Sequence, residues 1–375
     1  MAKYRIAWLP GDGIGRDVME AARLVLDALK LDAEYIPGDI GWDFWRTEGN
    51  PFPERTKQMM RETDCALFGA ITSKPRDEAA AELAPHLQGK NYSYYSPIVA
   101  IRQEFNLHTN LRPCKAYPGN PLNYRDDIDL VVFRENTEGL YSGVEFHPLP
   151  ADLRAILDAH PKMRRFASMR NEELAVSLRI FSELGCETII RQAFAYANKH
   201  GRKRVTVVEK PNVIRDTSGM MVRTARRIAR EYPQLAYDEA NVDAMCMWLI
   251  KNPQEFDVLV TSNMFGDIVS DLAGQLVGGL GFACSANIGD DYALFEPTHG
   301  SAPKYSGKYK VNPMAMLLST RLMLEWLGEV EMASRLENAI AAVIAEDKVR
   351  TYDMGGSSST LEVAEEVARK ATGAS

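Results

Sequence analysis

The segment YRIAWLPGDGIGRDVMEAARLVLDALK, residues 4–30, contains a strand signal, a turn signal and a helix signal in direct succession. YRIAWLP is apolar and rich in strand-forming residues, GDGIG is a tight turn, and RDVMEAARLVLDALK has helical periodicity. Further along the chain, DCALFGAI, IDLVVFREN, RVTVVEK and FDVLVTSN repeat the strand signal. Strands that alternate with helices predict an α/β fold with a largely parallel sheet.

The composition excludes several classes of partner. The chain has 375 residues, enough for two domains, and a formal net charge of −7, which argues against binding to nucleic acid. It shows neither a secretory signal nor an apolar run long enough to cross a membrane. Five cysteines without metal-binding spacing favour a reduced, cytoplasmic protein.

The GDGIG turn at residues 11–15 has two interpretations. Glycines that follow a strand and precede a helix are typical of dinucleotide-binding loops, in which the backbone approaches a phosphate. The spacing does not match G-x-G-x-x-G, however. A purely structural strand-to-helix turn is therefore the favoured interpretation.

A second segment, SPIVAIRQEFNLHTNLRP at residues 96–113, carries basic residues in an apolar context. Ser96 and Pro97 are typical of a helix start, and helical spacing then places Arg102 on an apolar face. Together with Arg112 and Arg134, Arg102 could form a clamp for carboxylates through bidentate pairs. Taken singly, these arginines could instead be a core side chain that reaches solvent or members of surface ion pairs.

The segment NMFGDIVSD, residues 263–271, places Asp267 and Asp271 four positions apart, on one face of a predicted helix. Two adjacent carboxylates repel each other unless a cation lies between them, and Mg²⁺ or Mn²⁺ prefers such oxygen ligands. The alternative is a solvated pair near a helix N-terminus, where acidic residues are favourable in any case.

Two other segments are expected to leave the regular elements, and two more are candidates for crossings between domains. EPTHGSAPKYSGKYKVNP, residues 296–313, is a loop with three lysines that suits a phosphate-bearing ligand, or else a flexible basic surface loop. FRENTEGLYSGVEFHPLP, residues 133–150, suggests a hairpin-like excursion. Residues 112–124 and 250–262 are candidates for crossings between domains.

These segments, in this order, resemble the β-decarboxylating dehydrogenase family over essentially the whole chain. The motifs are GDGIG, SPIVAIR with NLRP, RENTEGLYSG, VEKPNV, NMFGDIVSDLAG, HGSAPKYSGKYKVNP and TYDMGG. The resemblance implies two α/β domains around one cleft, in a fold distinct from the Rossmann fold. Residues 1–106 plus 261–375 would form the large cofactor-binding domain, and residues 107–260 the small dimerisation and substrate domain. It also implies a homodimer with shared active sites.

The activity implied by the resemblance is metal-dependent oxidation and decarboxylation of a 3-substituted (2R)-malate by NAD(P)⁺. Tyr141 and Lys210 would be the catalytic pair, with Lys210 supplied by the second subunit. The implied metal ligands for Mg²⁺ or Mn²⁺ are Asp267 and Asp271, with Asp243 from the second subunit. The implied substrate-binding residues are Ser96, Ile98, Arg102, Arg112 and Arg134.

Substrate preference is expected to depend on the start of the helix at Ser96. SPIVAIR is most similar to homoisocitrate dehydrogenases, and Tyr95 stands where isopropylmalate enzymes usually have an acid. Homoisocitrate or isocitrate is therefore favoured, with isopropylmalate, tartrate or malate as alternatives. A non-catalytic regulatory subunit and a simple nucleotide-binding module are the other hypotheses.

The expected cofactor is NADP⁺, with NAD⁺ possible. Lys304 and Tyr305 stand where NAD-linked relatives have an acid and isoleucine, and both suit a 2′-phosphate. Asn252 and Gly356 point the other way, since NADP-linked relatives have arginines there. The resemblance implies that the cofactor-binding residues are Thr72, His299, Gly300, Ser301, Ala302, Lys304, Tyr305, Val311, Asn312 and Tyr352.

Overall fold

The fold was analysed in a computed structural model that describes residues 2–373. The strands are β1 (Tyr4–Gly11), β2 (Ala33–Pro37), β3 (Cys65–Ala70), β4 (Thr109–Lys115), β5 (Asp129–Glu135), β6 (Glu145–Phe146), β7 (Val176–Ser177), β8 (Arg204–Glu209), β9 (Ala236–Asn241), β10 (Val258–Thr261), β11 (Cys284–Ile288) and β12 (Ala293–Pro297). The helices are α1 (Gly15–Leu29), α2 (Trp42–Glu48), α3 (Glu54–Arg61), α4 (Arg76–Ala81), α5 (Pro97–Glu104), α6 (Ala151–Asp158), α7 (Glu183–Lys199), α8 (Thr217–Ala229), α9 (Val242–Lys251), α10 (Asn263–Gln275), α11 (Met314–Trp326), α12 (Val330–Glu346) and α13 (Thr360–Thr372).

Ten strands form one mixed sheet in the order β2-β1-β3-β12-β11-β4-β5-β10-β8-β9. The outer pairs are parallel, as the alternation of strands and helices predicts. The three central pairs, β12–β11, β11–β4 and β4–β5, are antiparallel and were not expected. A tight turn joins β11 to β12, in which the Gly289 amide donates to the Tyr292 carbonyl, and such turns connect only antiparallel neighbours.

The two ends of the sheet come from different parts of the chain. Strands β2, β1, β3, β12 and β11 lie on one side, whereas β4, β5, β10, β8 and β9 come from residues 109–261. The ladder between β11 and β4 pairs residues 286–288 with residues 109–111. This seam, defined as the β11–β4 ladder, lies at the centre of the sheet. The division into two domains stays a prediction.

Helices cover the sheet because their apolar faces need burial. Helix α1 buries Val18, Ala22, Val25 and Leu26 and packs against α13, next to α11 and α12. Helices α9 and α10 contribute to a separate cluster that includes Met245. Each large aliphatic side chain that is fully buried contributes about 1.5–3 kcal/mol. Both sides of the seam are therefore held by packed helices.

The GDGIG turn is structural, as favoured from its spacing. Gly11 and Gly13 have positive φ angles of 66° and 54°, which glycine adopts without strain. The buried Asp12 carboxylate accepts hydrogen bonds from the amides of Trp42 (2.7 Å) and Thr72 (2.8 Å). A side chain at position 13 would collide with the Ser301 carbonyl. The turn therefore holds neighbouring loops in place.

The segments proposed as crossings and as an excursion contain short strands. Residues 112–115 belong to β4, and residues 258–261 form β10, as the FDVLVTSN strand signal predicts, whereas the two domain crossings stay predictions. The 133–150 excursion does leave the sheet, but β6 pairs with β7 some thirty residues later. All five cysteines lie within the described residues and are unpaired. In residues 2–373, no helix has the length and apolarity that crossing a membrane requires.

Candidate active site

The arginine cluster, defined as Arg102, Arg112 and Arg134, lies beside the seam. Arg102 comes from α5, Arg112 from β4 and Arg134 from β5, and the three side chains are 7%, 7% and 1% exposed. Arg134 and Arg112 both reach Oδ1 of Asp267, the latter at 3.5 Å. Arg102 instead pairs with Glu296 at 3.1 Å. The surface ion pairs considered as an alternative are thereby excluded.

The cluster holds three positive charges in a poorly solvated place. Burial, together with the charges of Arg112 and Arg102, lowers the pKa of Arg134 to about 9. Burial likewise lowers the pKa of Arg102, against the opposing effect of Glu296. An anionic ligand would relieve both effects. The cluster is therefore suited to carboxylates, which guanidinium groups bind through paired hydrogen bonds.

Two aspartates and a tyrosine face the cluster. Asp267 and Asp271 lie one turn apart on α10, and Arg112 Nη1 donates to Asp271 Oδ1 at 3.0 Å. The Tyr141 hydroxyl, on a short 3₁₀ turn, donates to Asp267 Oδ2 at 2.8 Å. Burial and the charge of Asp267 raise the pKa of Tyr141, which keeps its proton at neutral pH.

The aspartates have unequal proton affinities. Burial would raise the pKa of Asp267, but Arg134 and Arg112 outweigh it and lower that pKa. Burial raises the pKa of Asp271, and the neighbouring Asp267 charge acts in the same direction. This mutual repulsion is what a divalent cation would relieve, and the Asp271 side chain is 61% exposed on the same helix face. Two carboxylates of the predicted metal site therefore fit a hard cation.

A complete metal site is not formed within one chain. Among residues 2–373, no group of three or more His, Cys, Asp or Glu side chains is arranged to hold a metal ion. Asp243 begins α9 and pairs with Lys210, which follows β8. Within the described residues, neither Lys210 nor Asp243 has a hydrogen bond or ion pair to Asp267 or Asp271. The hydrogen bond that Lys210 donates to Asp243 lowers the pKa of the Asp243 carboxyl group.

The predicted specificity region lies at the first turn of α5. Ser96 is the N-cap residue and Pro97 the first helical residue, as expected, although the Ser96 hydroxyl does not cap the helix. Ile98 is half-buried and packs against an apolar cluster that includes Leu9 and Phe68. Ser96 therefore keeps its hydroxyl available beside an aliphatic surface.

The start of the 296–313 loop is fixed by the GDGIG region. The Ile14 amide donates to the Ser301 carbonyl at 2.9 Å, and the hydroxyls of Thr72 and Ser301 lie 2.7 Å apart. Ala302 adopts a left-handed conformation with φ 35°, whereas Gly300 is exposed. His299 is half-buried, and burial lowers its pKa. The predicted cofactor residues 299–302 and Thr72 thus form one contiguous surface.

The remaining predicted cofactor residues divide into two groups. The Lys304 ammonium lies 5.0 Å from the centre of the Tyr305 ring, which stacks on Tyr352 with ring centres 6.0 Å apart. Lys304 has no carboxylate partner among the described residues. Val311 and Asn312 are buried and support the backbone, since Asn312 Oδ1 accepts from the Met314 amide. In the first group, Lys304 supplies a positive charge and Tyr305 a hydroxyl group.

Several residues around the arginine cluster were missed from the sequence. They are Asn110, Asn136, Asn263, Ser270, Asn287 and Glu296, and each hydrogen-bonds to an arginine of the cluster or to a side chain that does. The sequence carried a partial signal, because Asn110, Asn287 and Glu296 are buried polar residues within strands that also contain apolar residues. Such residues need partners, and a site supplies them.

Comparisons with known proteins agree with this architecture. The family model described as isocitrate/isopropylmalate dehydrogenase matches residues 5–367. A 3-isopropylmalate dehydrogenase of Methanothermobacter thermautotrophicus is 42% identical over 98% of this chain and 99% of its own length. Protein DlpA of Legionella pneumophila is 40% identical over 97% of this chain, which spans 58% of that relative's length.

A solved structure gives the same result for the fold. The isocitrate dehydrogenase from Methylococcus capsulatus superposes with a TM-score of 0.85 at 36% identity, over 98% of this chain and 99% of that one. The predicted family and fold class are confirmed. The named relatives differ in substrate, so similarity alone does not choose between substrates. The chain belongs to the isocitrate/isopropylmalate dehydrogenase family and is a decarboxylating dehydrogenase of that type.

Proposed function

We propose that this chain oxidises the 2-hydroxyl group of a 3-substituted (2R)-malate and releases one carboxylate as CO₂, with homoisocitrate or isocitrate as substrate. The observation that carries the proposal is the buried arginine cluster, which faces Asp267, Asp271 and Tyr141. Three guanidinium groups supply more positive charge than a monocarboxylate requires. They suit a substrate with several negative charges.

The arginine cluster would bind and orient the substrate carboxylates. Arg134 and Arg112 would exchange part of their contact with Asp267 for contact with substrate oxygens, which bidentate geometry favours. Because all three side chains are buried, few rotamers compete with the bound arrangement. The substrate is thus held with its reacting bonds in a fixed position.

Lys210 and Tyr141 would perform the two proton transfers. Lys210 of a second copy, in its neutral form, would accept the proton of the 2-hydroxyl group, for which its Nζ must first release a proton and exchange Asp243 for the substrate. Tyr141 would donate a proton to the carbon that loses CO₂, since its raised pKa keeps the hydroxyl protonated. Asp267 Oδ2 holds that hydroxyl in place at 2.8 Å.

The cofactors would occupy the surfaces described above. Asp267 and Asp271, with Asp243 of a second copy, would hold Mg²⁺ or Mn²⁺, which supplies positive charge to the substrate oxygens when bound. The 296–313 loop and Thr72 would hold NADP⁺, which takes up the hydride. Lys304 and Tyr305 would face its 2′-phosphate, because their exposed charge and hydroxyl suit that group.

A homodimer would complete each site. Helix α9 exposes Met247 (74%), Trp248 (42%) and Ile250 (51%), and Ile268 of α10 is 53% exposed. Apolar side chains this exposed on adjoining helices favour contact with another protein surface. A second copy placed there would bring its Lys210–Asp243 pair toward Asp267. In this arrangement, residues 107–260 would act as the dimerisation domain.

Ser96 and Ile98 support two substrate classes to different degrees. The Ser96 hydroxyl is not used as a helix cap and could donate to a distal carboxylate, which favours homoisocitrate or isocitrate. Ile98 offers an aliphatic surface that would also accept an isopropyl group, so isopropylmalate is the second candidate.

The experiment is a comparison of kcat/KM for homoisocitrate, isocitrate, isopropylmalate, tartrate and malate on the purified chain. We expect one of the two tricarboxylates to be preferred. A preference for isopropylmalate would contradict the substrate assignment. Absence of turnover on every compound would favour a regulatory subunit.

A further inference from the structure

Asn287 lies on the seam and is completely buried. Its Oδ1 atom accepts three hydrogen bonds, from Arg102 Nε (2.9 Å), Asn110 Nδ2 (2.7 Å) and Asn136 Nδ2 (3.0 Å). Three donors on one amide oxygen is a dense arrangement for a neutral side chain. The oxygen therefore serves as a junction between α5, β4 and the residue that follows β5.

The amide nitrogen of Asn287 also has a hydrogen-bond partner. Its Nδ2 donates to Glu296 Oε1 at 2.8 Å, and that same oxygen accepts from Arg102 Nη2 at 3.1 Å. Asn287 and Glu296 thus hold two edges of one guanidinium group. Because donors surround one end of the amide and an acceptor the other, Asn287 has a single allowed orientation.

The junction reaches a second arginine. Asn110, the cross-strand neighbour of Asn287, uses its Oδ1 to accept from Arg112 Nε at 2.8 Å. Arg112 then reaches Asp271 with Nη1. One buried amide is therefore connected directly to Arg102 and through one intermediate to Arg112.

We propose that Asn287 is a positioning residue that fixes Arg102 and Arg112 for the substrate carboxylates, an inference that rests on the proposed function. A neutral amide is suited to this task, because it orients Arg102 without adding a second negative charge to that of Glu296. A second carboxylate at this place would compete further with the substrate for the guanidinium group. Asn287 itself does not touch the substrate.

The main test replaces the junction and measures binding and turnover separately. Asn287→Ala should raise the KM for the preferred hydroxy acid about ten- to a hundredfold, the effect of losing a charge-assisted contact. The KM for the nicotinamide cofactor should stay unchanged. Ser285→Ala is the matched control, since Ser285 lies two residues away on β11, is equally buried, and its hydroxyl lacks a partner among the described residues.

A second pair of variants separates positioning from folding. Asn287→Asp keeps the Oδ1 acceptor but loses the Nδ2 donor to Glu296 and adds a charge, so we expect a lowered melting temperature and a raised KM for the hydroxy acid. An unchanged KM for the nicotinamide cofactor in this variant would show that the remaining fold is intact. In an Arg102→Lys background, which lacks the Nε donor, adding Asn287→Ala should have a much smaller effect on this KM. Additive effects, or an unchanged KM in both Asn287 variants, would overturn the proposal.

A binding measurement distinguishes failure of this inference from failure of the proposed function. Titration calorimetry of the unmodified chain with each 3-substituted malate gives the binding constant independently of turnover. If the unmodified chain binds and oxidises one of them while Asn287→Ala keeps its KM, only the role of Asn287 is wrong. If the chain binds none, both proposals fail.

Discussion

Arg134 and Lys210 are both assigned to the same reaction, yet the chain holds them in opposite ways. Arg134 is 1% exposed and is fixed by Asn263 and Asp267. The Lys210 ammonium has one carboxylate partner, Asp243, whose side chain is 67% exposed. Arg134 belongs to a set of side chains that is already arranged within the single chain. Lys210 lies outside that set and would meet it only in an assembly of two chains.

The difference shows which part of the chemistry one chain can complete. Substrate orientation depends on the arginine cluster, whose contacts are all internal. In the proposed mechanism, removal of the hydroxyl proton depends on Lys210, which has no hydrogen bond or ion pair to the cluster within residues 2–373. A residue held by many internal contacts affects stability when changed, and a residue held by one exposed contact does not.

The largest expected effect uses this contrast directly. Asp267→Asn and Lys210→Met should each lower kcat by about a thousandfold or more, because one weakens metal binding and the other removes the proposed base. Only Asp267→Asn should lower the melting temperature by a few degrees, since Arg134 and Arg112 lose their buried counter-charge. Thermal unfolding and steady-state kinetics of both variants test this.

Two results would contradict that prediction. An equal fall in melting temperature for Lys210→Met would show that Lys210 has a structural role. Full activity in the presence of EDTA would remove the metal from the mechanism. Restoration of activity by Mg²⁺ or Mn²⁺ after chelation is the expected control.

The next prediction tests whether the Asp267 and the Lys210 of one active site come from different copies of the chain. Inactive Asp267→Asn and Lys210→Met chains, mixed by co-expression, should recover about a quarter of the unmodified activity, since half of the dimers are mixed and each has one intact site. Asp267→Asn mixed with Asp271→Asn should recover nothing, because both changes affect the same half. Recovery in neither mixture would place Lys210 and Asp267 in one chain's site or outside the mechanism.

A smaller effect concerns the proposed cofactor surface, where Lys304 is exposed and, unlike Lys210, has no carboxylate partner among the described residues. The double change Lys304→Asp with Tyr305→Ile should shift the NADP⁺ to NAD⁺ ratio of kcat/KM about ten- to a hundredfold toward NAD⁺. Lys308→Asp, on the same loop but outside the Tyr305–Tyr352 stack, should leave the ratio unchanged. A preference of the unmodified chain for NAD⁺ by more than about tenfold would contradict the assignment.

The smallest effect is the pH dependence of metal affinity. Metal binding needs both carboxylates ionised, and burial and Asp267 raise the pKa of Asp271, so Asp271 takes up a proton first as the pH falls. Below that pKa, Mn²⁺ affinity should fall about tenfold per pH unit. Titrations from about pH 4 to 7 test this, and Asp271→Asn should bind weakly at every pH. A flat profile for the unmodified chain would contradict a role for Asp271.

The sequence predicted several strands that are rich in aliphatic residues and missed three that contain a buried asparagine or glutamate. Strands β1, β3, β5, β8 and β10 are runs of aliphatic residues. Strands β4, β11 and β12 are interrupted by Asn110, Asn287 and Glu296, which bind one another or the arginines instead of packing in the core. Local pattern and function conflict there, as is expected at functional sites.

The site itself was predictable only where spacing sufficed. Helical periodicity placed Arg102 on an apolar face, and the four-residue spacing placed Asp267 beside Asp271. The pairing of Arg102 with Glu296 joins residues 194 positions apart, and no local sequence pattern predicts such a contact. The position of Lys210 relative to a second copy likewise depends on an assembly that periodicity does not encode.

In the proposed shared site, the separation of the Lys210–Asp243 pair from Asp267 has a consequence for gene duplication. If two gene copies encode chains that assemble together, one copy would be free to lose Lys210 and the other to lose Asp267, because a mixed dimer would still have one intact site. Selection would then preserve both genes for one reaction, and neither product would act alone. A chain that lost both residues would inactivate both sites of a mixed dimer, so that its effect would be partly dominant.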